Sequence, residues 1–154
     1  MLKGSLTALL MFASPVAFAC ETSSIEVKSE SGKFRFAIDV ADDNEERMQG
    51  LMHVEHMDRF KGMLFIYPDP LEATFWMKNT LIPLDMLFAD PTGTVTTIHE
   101  NATPLSEATI YGGKNILYVL EINGGMASQL GITEGSVLRH PAIDPEIAAW
   151  SCPE

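Results

Sequence analysis

The chain is poor in positive charge: 10 lysines and arginines stand against 21 aspartates and glutamates in 154 residues, a formal net charge of −11 at pH 7. Nucleic acid and anionic lipid are repelled by such a surface, and no local basic stretch overrides the net charge. Nucleic-acid binding is therefore excluded. Internal repeats and low-complexity linkers are absent, which argues against a repeat architecture or a string of modules. The His-Glu-x-x-His spacing of zinc hydrolases is missing, and so is the Gly-x-Ser-x-Gly elbow of serine hydrolases. His99 and His140 stand alone.

Long apolar runs are also missing beyond the N-terminus. Residues 1–19 carry Lys3, an apolar run from Leu6 to Phe12 and a closing Ala17-Phe18-Ala19, the order of a secretory signal. Ser14-Pro15 interrupts the run, and a membrane-spanning helix needs about 20 apolar residues. The pattern predicts a cleaved leader and an exported protein, periplasmic or extracellular, with no membrane span. Loss of Lys3 with the leader takes the charge from −11 to −12.

Cysteine is scarce, with Cys20 and Cys152 at opposite ends of the mature chain. Two cysteines in an oxidising compartment predict a disulfide between them. The alternative for Cys20 is a lipid anchor at a new N-terminus; Ala17-Phe18-Ala19-Cys20 lacks the leucine usual three residues before such a cysteine. Residues 20–154 have the length of one domain.

What is present is strand pattern. Phe34, Phe36, Ile38 and Val40 alternate with polar or small residues, a period of two. Ile25 to Lys28, Gly62 to Ile66, Ala73 to Met77, Leu84 to Ala89, Thr94 to His99, Asn115 to Ile122 and Ser136 to Arg139 are further expected strands. Pro68-Asp69-Pro70 and Asp90-Pro91-Thr92-Gly93 are expected turns. Glu100 to Lys114 reads as an exposed loop, a candidate lid or rim. A capping box of Asp42 and Glu45 predicts a helix running to near His53. Asn123 is the expected cap of a second helix closed by Gly131, and Asp144-Pro145-Glu146 the start of a third through Trp150. The sum is a mainly β fold, a sandwich or barrel with two or three short helices.

The densest motif is Phe75-Trp76-Met77-Lys78-Asn79-Thr80-Leu81-Ile82-Pro83-Leu84-Asp85. With Glu46-Arg47, Gly50-Leu51-Met52, Gly62-Met63-Leu64-Phe65 and Leu120-Glu121, it resembles the DUF192 family, which has no established activity. The resemblance runs from about Phe36 to Val137 and implies a jelly-roll-like sandwich. It also implies that Arg47, Gly50, Met52, Gly62, Met63, Phe65, Trp76, Met77, Lys78, Asn79, Thr80, Pro83, Asp85 and Glu121 line or support one feature. Ser136 departs from the acidic residue common at that position in related sequences.

Read for chemistry, Lys78-Asn79-Thr80 offers an ammonium, an amide and a hydroxyl at a strand end. Arg47, Asp85 and Glu121 add a second cation and two carboxylates, and Trp76 a stacking surface. Arg47, Trp76, Lys78, Asn79, Thr80, Asp85 and Glu121 thus form a candidate site for a carbohydrate-like or other polar small ligand, in a non-enzymatic binding or accessory module needing no cofactor. Its partner is a polar small molecule or another exported protein. An architectural alternative makes Arg47, Asp85 and Glu121 an ion-pair network and Asn79 and Thr80 turn residues, with Trp76 packed. An enzymatic alternative makes Asp85 and Glu121 the carboxylate pair of a glycoside hydrolase. A third makes Met48, Met52, His53, His56 and Met57 a copper site, because Met48, Met52 and His56 recur at spacings of four on the expected helix; the competing role for these methionines is packing.

Overall fold

The computed structural model describes residues 20–153; the expected leader, residues 1–19, lies outside the described residues. Seven strands form one curled sheet in the order β5-β4-β6-β3-β2-β1-β7. In chain order these are β1 (Ser24–Ser29), β2 (Gly32–Ala41), β3 (Lys61–Phe75), β4 (Leu84–Ala89), β5 (Val95–Ala102), β6 (Ile110–Asn123) and β7 (Val137–Arg139). Two short helices, α1 (Asn44–Gln49) and α2 (Met126–Leu130), complete the set. The Thr94–Val137 bridge and the Val95 N–H to Ser136 bond (2.8 Å) bring the start of β5 to β7, so the sheet curls toward closure as a half-barrel. The expected mainly β architecture is what forms.

The sheet is apolar on both faces where β3, β4 and β6 run side by side, so alternate residues join different cores. Leu64, Leu87, Ala89, Tyr118, Leu120 and Ile122 pack with Ile25, Val27, Phe36, Ile38 and α2 in one cluster. Phe65, Leu84, Met86, Phe88 and Val119 join Leu51, Met57, Ala73 and Met77 in the other. All six residues of β4 are consequently buried, Asp85 among them. A one-residue slip in this strand would exchange the two clusters, which is why its register is strongly specified.

Four local expectations are corrected. The capping box sits one residue later than expected: the Asp43 carboxylate accepts from the Glu46 N–H (2.8 Å), and the Glu46 carboxylate accepts from the Asp42 N–H (3.2 Å). Helix α1 stops at Gln49 instead of reaching His53, because Gly50 takes a positive φ of 49° and returns its N–H to the Glu46 carbonyl. Pro68-Asp69-Pro70 makes a bulge within β3: Ile66 pairs with Tyr118 and Leu71 with Ile116, so the extra residues bow outward. Pairing to β2 ends at Phe65, and the missing proline N–H groups break no ladder on that side. Glu100 to Lys114 is mostly strand, with β5 reaching Ala102 and β6 starting at Ile110; Gly112 permits this because a Cβ there would collide with the Phe88 ring.

The helix expected through Trp150 is a single turn, in which the Asp144 carbonyl accepts from Ile147 and Ala148. Trp150 lies instead under Arg139, Lys28 and Lys33, whose cationic groups stand 4.1, 5.0 and 5.5 Å from its ring. Cys20 and Cys152 are joined in a disulfide, 132 residues apart in sequence. No helix among the described residues is long and apolar enough to cross a membrane.

Candidate functional site

Beyond Phe75 the chain leaves the sheet, and the next five residues are held by bonds to two other loops. Met77, fully buried, donates its N–H to Ser106 (2.9 Å), and the Thr80 N–H returns to the Met77 carbonyl (3.1 Å) to close a turn. Asn79 occupies the left-handed region at φ 55°, which asparagine tolerates. Its carbonyl accepts from the His53 N–H (2.8 Å), and the Thr80 carbonyl accepts from the Leu105 N–H (3.0 Å). His53 and Leu105 also have positive φ, 65° and 62°, so three non-glycine residues in the left-handed region meet around one turn, and Leu105 adopts it at a steric cost. Such strain persists only where surrounding contacts over-determine the backbone, and it concentrates at binding sites.

Between this turn and α1 lies a cleft of about 200 Å³. Its lining includes Arg47, Trp76, Lys78, Thr80 and Glu121, so five of the seven expected ligand residues come together. Apolar and aromatic walls come from Leu51, Phe65 and Phe75, with Tyr67 and Thr74 beside them. Phe75 stacks edge-on against Phe65 at 5.2 Å and Phe88 at 5.6 Å, which fixes the wall to the core. Gly50 gives the wall its closeness, since a Cβ there would stand 3.1 Å from the Phe65 ring. Tyr67 and Thr74 were missed from sequence. The alternation of Met63, Phe65 and Tyr67 carried a signal for Tyr67, because Met63 and Phe65 are already among the expected residues. For Thr74 the bulge erased it.

Each polar group has a distinct state. The Arg47 guanidinium donates to the carbonyls of Asp42 (2.5 Å) and Ile66 (2.7 Å) and to the Asn44 side chain (2.7 Å), which ties α1 to β3. It also lies 5.3 Å from the Tyr67 ring. The Lys78 ammonium rests 5.0 Å from the ring of Trp76, itself 47% exposed. Among the described residues neither cation takes part in a salt bridge. Glu121 is only 4% exposed, and burial pushes its carboxyl up to about 8 with no counter-ion or hydrogen bond opposing the shift. The Tyr67 hydroxyl is raised too, by burial first, with Arg47 lowering and Glu121 raising it.

Asp85 and Asn79 stand apart from the cleft lining. Asp85 pairs with Ile122 whereas Glu121 pairs with Met86, so the two carboxyls leave opposite faces of the sheet. Fully buried, Asp85 accepts from the N–H groups of Asn101 (2.8 Å), Gly125 (2.9 Å) and Ala127 (2.8 Å). It thereby caps α2, the task expected of Asn123, whose amide instead donates to the carbonyls of Met57 and Asp58. A glycosidase pair needs both carboxyls on one substrate bond; Asp85 and Glu121 do not meet that geometry. No ion pair links Arg47, Asp85 and Glu121 among the described residues.

The copper reading loses its stripe, because the helix meant to align Met48, Met52 and His56 ends before Met52. Met48, 78% exposed, and Met52 line the cleft, while His53 and His56 are exposed outside that lining. The His56 ring sits 3.5 Å from Asp58, and Met57 is buried in the core.

Residues 25–140 match the DUF192 family, described as an uncharacterised group. The chain belongs to DUF192. Two crystal structures of similar proteins align with this DUF192 chain at TM-scores of 0.74 each. One, from Sinorhizobium meliloti 1021, is assigned provisionally as a transcription regulator; it is 39% identical, and the alignment covers 79% of this chain and 95% of that one. The other, a protein of unknown function from Novosphingobium aromaticivorans DSM 12444, is 35% identical over 88% of this chain and 99% of that one. No curated protein matches this DUF192 chain.

Proposed function

We propose that this DUF192 protein is an exported, non-enzymatic binding module whose cleft holds a small polar, carbohydrate-like ligand. The observation that carries the reading is the arrangement of Arg47, Lys78 and Glu121, a largely desolvated carboxyl with no hydrogen bond to the described residues, around one aromatic-walled cleft. Its carboxyl is desolvated but not sealed off, since among the described residues no buried side-chain oxygen lacks a partner, so it opens onto the cleft at a desolvation cost. A ligand hydroxyl reaching Glu121 would offset it. The volume suits one sugar ring or a smaller molecule, below the ~300 Å³ at which drug-sized pockets begin. Export is supported by the leader pattern of residues 1–19 and by the Cys20–Cys152 disulfide, a bond that persists in oxidising compartments. The regulator assignment of the relative does not carry over, because the net charge of −11 opposes DNA contact.

The test is amide chemical-shift mapping with a panel of monosaccharides, sugar acids, hydroxy acids and amino acids. Saturable shifts confined to residues 47–52, 65–67, 74–80 and 121 are expected for at least one member. Shifts elsewhere, or none across the panel, would overturn the binding reading.

A further inference from the structure

Of the residues that line the cleft, Arg47, Lys78 and Glu121 are the ones with ionisable charge below pH 9. Even with Glu121 ionised the lining sums to a positive charge, on a chain whose net charge is −11. The global field repels anions at a distance, but screening within about 8 Å at physiological salt leaves the lining charges to decide what binds. Arg47 and Lys78 lack carboxylate partners among the described residues, and Lys78 keeps its three donors over the Trp76 face at the exposed rim. Arg47 spends three N–H bonds on Asp42, Ile66 and Asn44, so Lys78 is the freer cation.

We infer that the cleft selects small hydroxylated monocarboxylates, sugar acids or short hydroxy acids, with Lys78 taking the carboxylate and the buried Glu121 carboxyl taking a hydroxyl. This deepens the binding reading above and rests on it. A neutral sugar of the same shape leaves Lys78 unpaired, and an amino sugar sets its ammonium against two cations. Charge state completes the discrimination. The ionisable groups that line the cleft with Glu121 are Arg47 from α1, Tyr67 from β3 and Lys78 from the turn; Tyr67 is the one its charge acts on, and uncharged Met63 and Met86 are its strand partners. In its acid form Glu121 neither repels an incoming anion nor neutralises Lys78. As its ionisation near pH 8 proceeds, anion affinity falls.

Titration calorimetry with D-glucuronate, D-glucose, D-glucosamine, D-glycerate and L-lactate at pH 6.5 and 9.5 tests the inference. At least one of the three carboxylates should bind at least tenfold more tightly than glucose or glucosamine at pH 6.5 and lose several-fold at pH 9.5. Lys78→Ala should remove the preference and Lys78→Arg restore it, whereas Glu121→Gln, neutral at both pH values, should bind alike at both. Tighter binding of glucose or glucosamine, or anion affinity that rises with pH, would overturn the anion selection and leave the binding reading standing. No binding by any of the five overturns the anion selection; the binding reading falls as well only if the wider shift-mapping panel is silent.

Discussion

Asp85 and Glu121 are the two buried carboxyl side chains among the described residues, one register step apart on neighbouring strands, and their surroundings differ completely. Asp85 faces the core shared with α2 and has three backbone N–H partners between 2.8 and 2.9 Å. Glu121 faces the other side, where the covering layer leaves a cleft, and has none. The same residue chemistry is therefore a fastener on one face and an open contact on the other. Burial alone does not separate structural from functional carboxyls; the count of hydrogen bonds already made does.

The largest break in this contrast is expected from Asp85→Ala. Three N–H groups lose their acceptor inside the core, at about 1–3 kcal/mol for each left unsatisfied before relaxation, so a loss of at least 3 kcal/mol in urea denaturation is expected. A loss under 1 kcal/mol would remove the fastener role.

Glu121→Gln should act in the opposite direction, and only where pH makes it matter. The unfolded chain ionises this carboxyl above its ordinary 4.5, whereas the folded chain holds the proton until about 8. Its contribution to stability is therefore fully present below pH 4.5 and is lost as pH rises through 8, at about 1.4 kcal/mol per pH unit between those limits. The glutamine variant should flatten that slope and exceed the parent by a few kcal/mol at pH 9. Parallel stability curves for the two proteins from pH 4.5 to 9 would show that Glu121 is not desolvated.

The smallest contrast lies within the cleft rim. Arg47→Ala removes three bonds, one of them from α1 to β3, and should cost about 2 kcal/mol, whereas Lys78→Ala, whose ammonium makes no hydrogen bond to the described residues, should change stability by less than about 0.5 kcal/mol. Thermal melts of both variants check this, and equal losses would make Lys78 as structural as Arg47.

Much of this was legible in the sequence, for identifiable reasons. The alternation of Phe34 to Val40 and the mostly apolar run from Leu84 to Ala89, broken only by Asp85, are local signals, and β2 and β4 follow them. The density of the Trp76 to Thr80 motif located one wall of the cleft. The roles of Asp85 and Glu121 were not legible, because which face a residue takes depends on the pairing of β4 with β6, a long-range property that spacing does not encode. The helix boundary at Gly50 was missed for a local reason: Glu45 to Gln49 are helix formers, but Gly50 itself takes a positive φ and closes the helix there.

The Cys20–Cys152 bond, with Cα atoms 5.8 Å apart, makes almost the entire described chain a covalent ring. Residues 20–23 and 140–153 lie outside the cleft lining, so both exits from the ring are gathered away from the site. Tension applied between the two ends is then carried by the sulfur bridge, and the sheet behind it bears none. A fused partner or an attachment to a surface could pull on this protein without deforming its cleft, and only reduction would transfer that load to the strands.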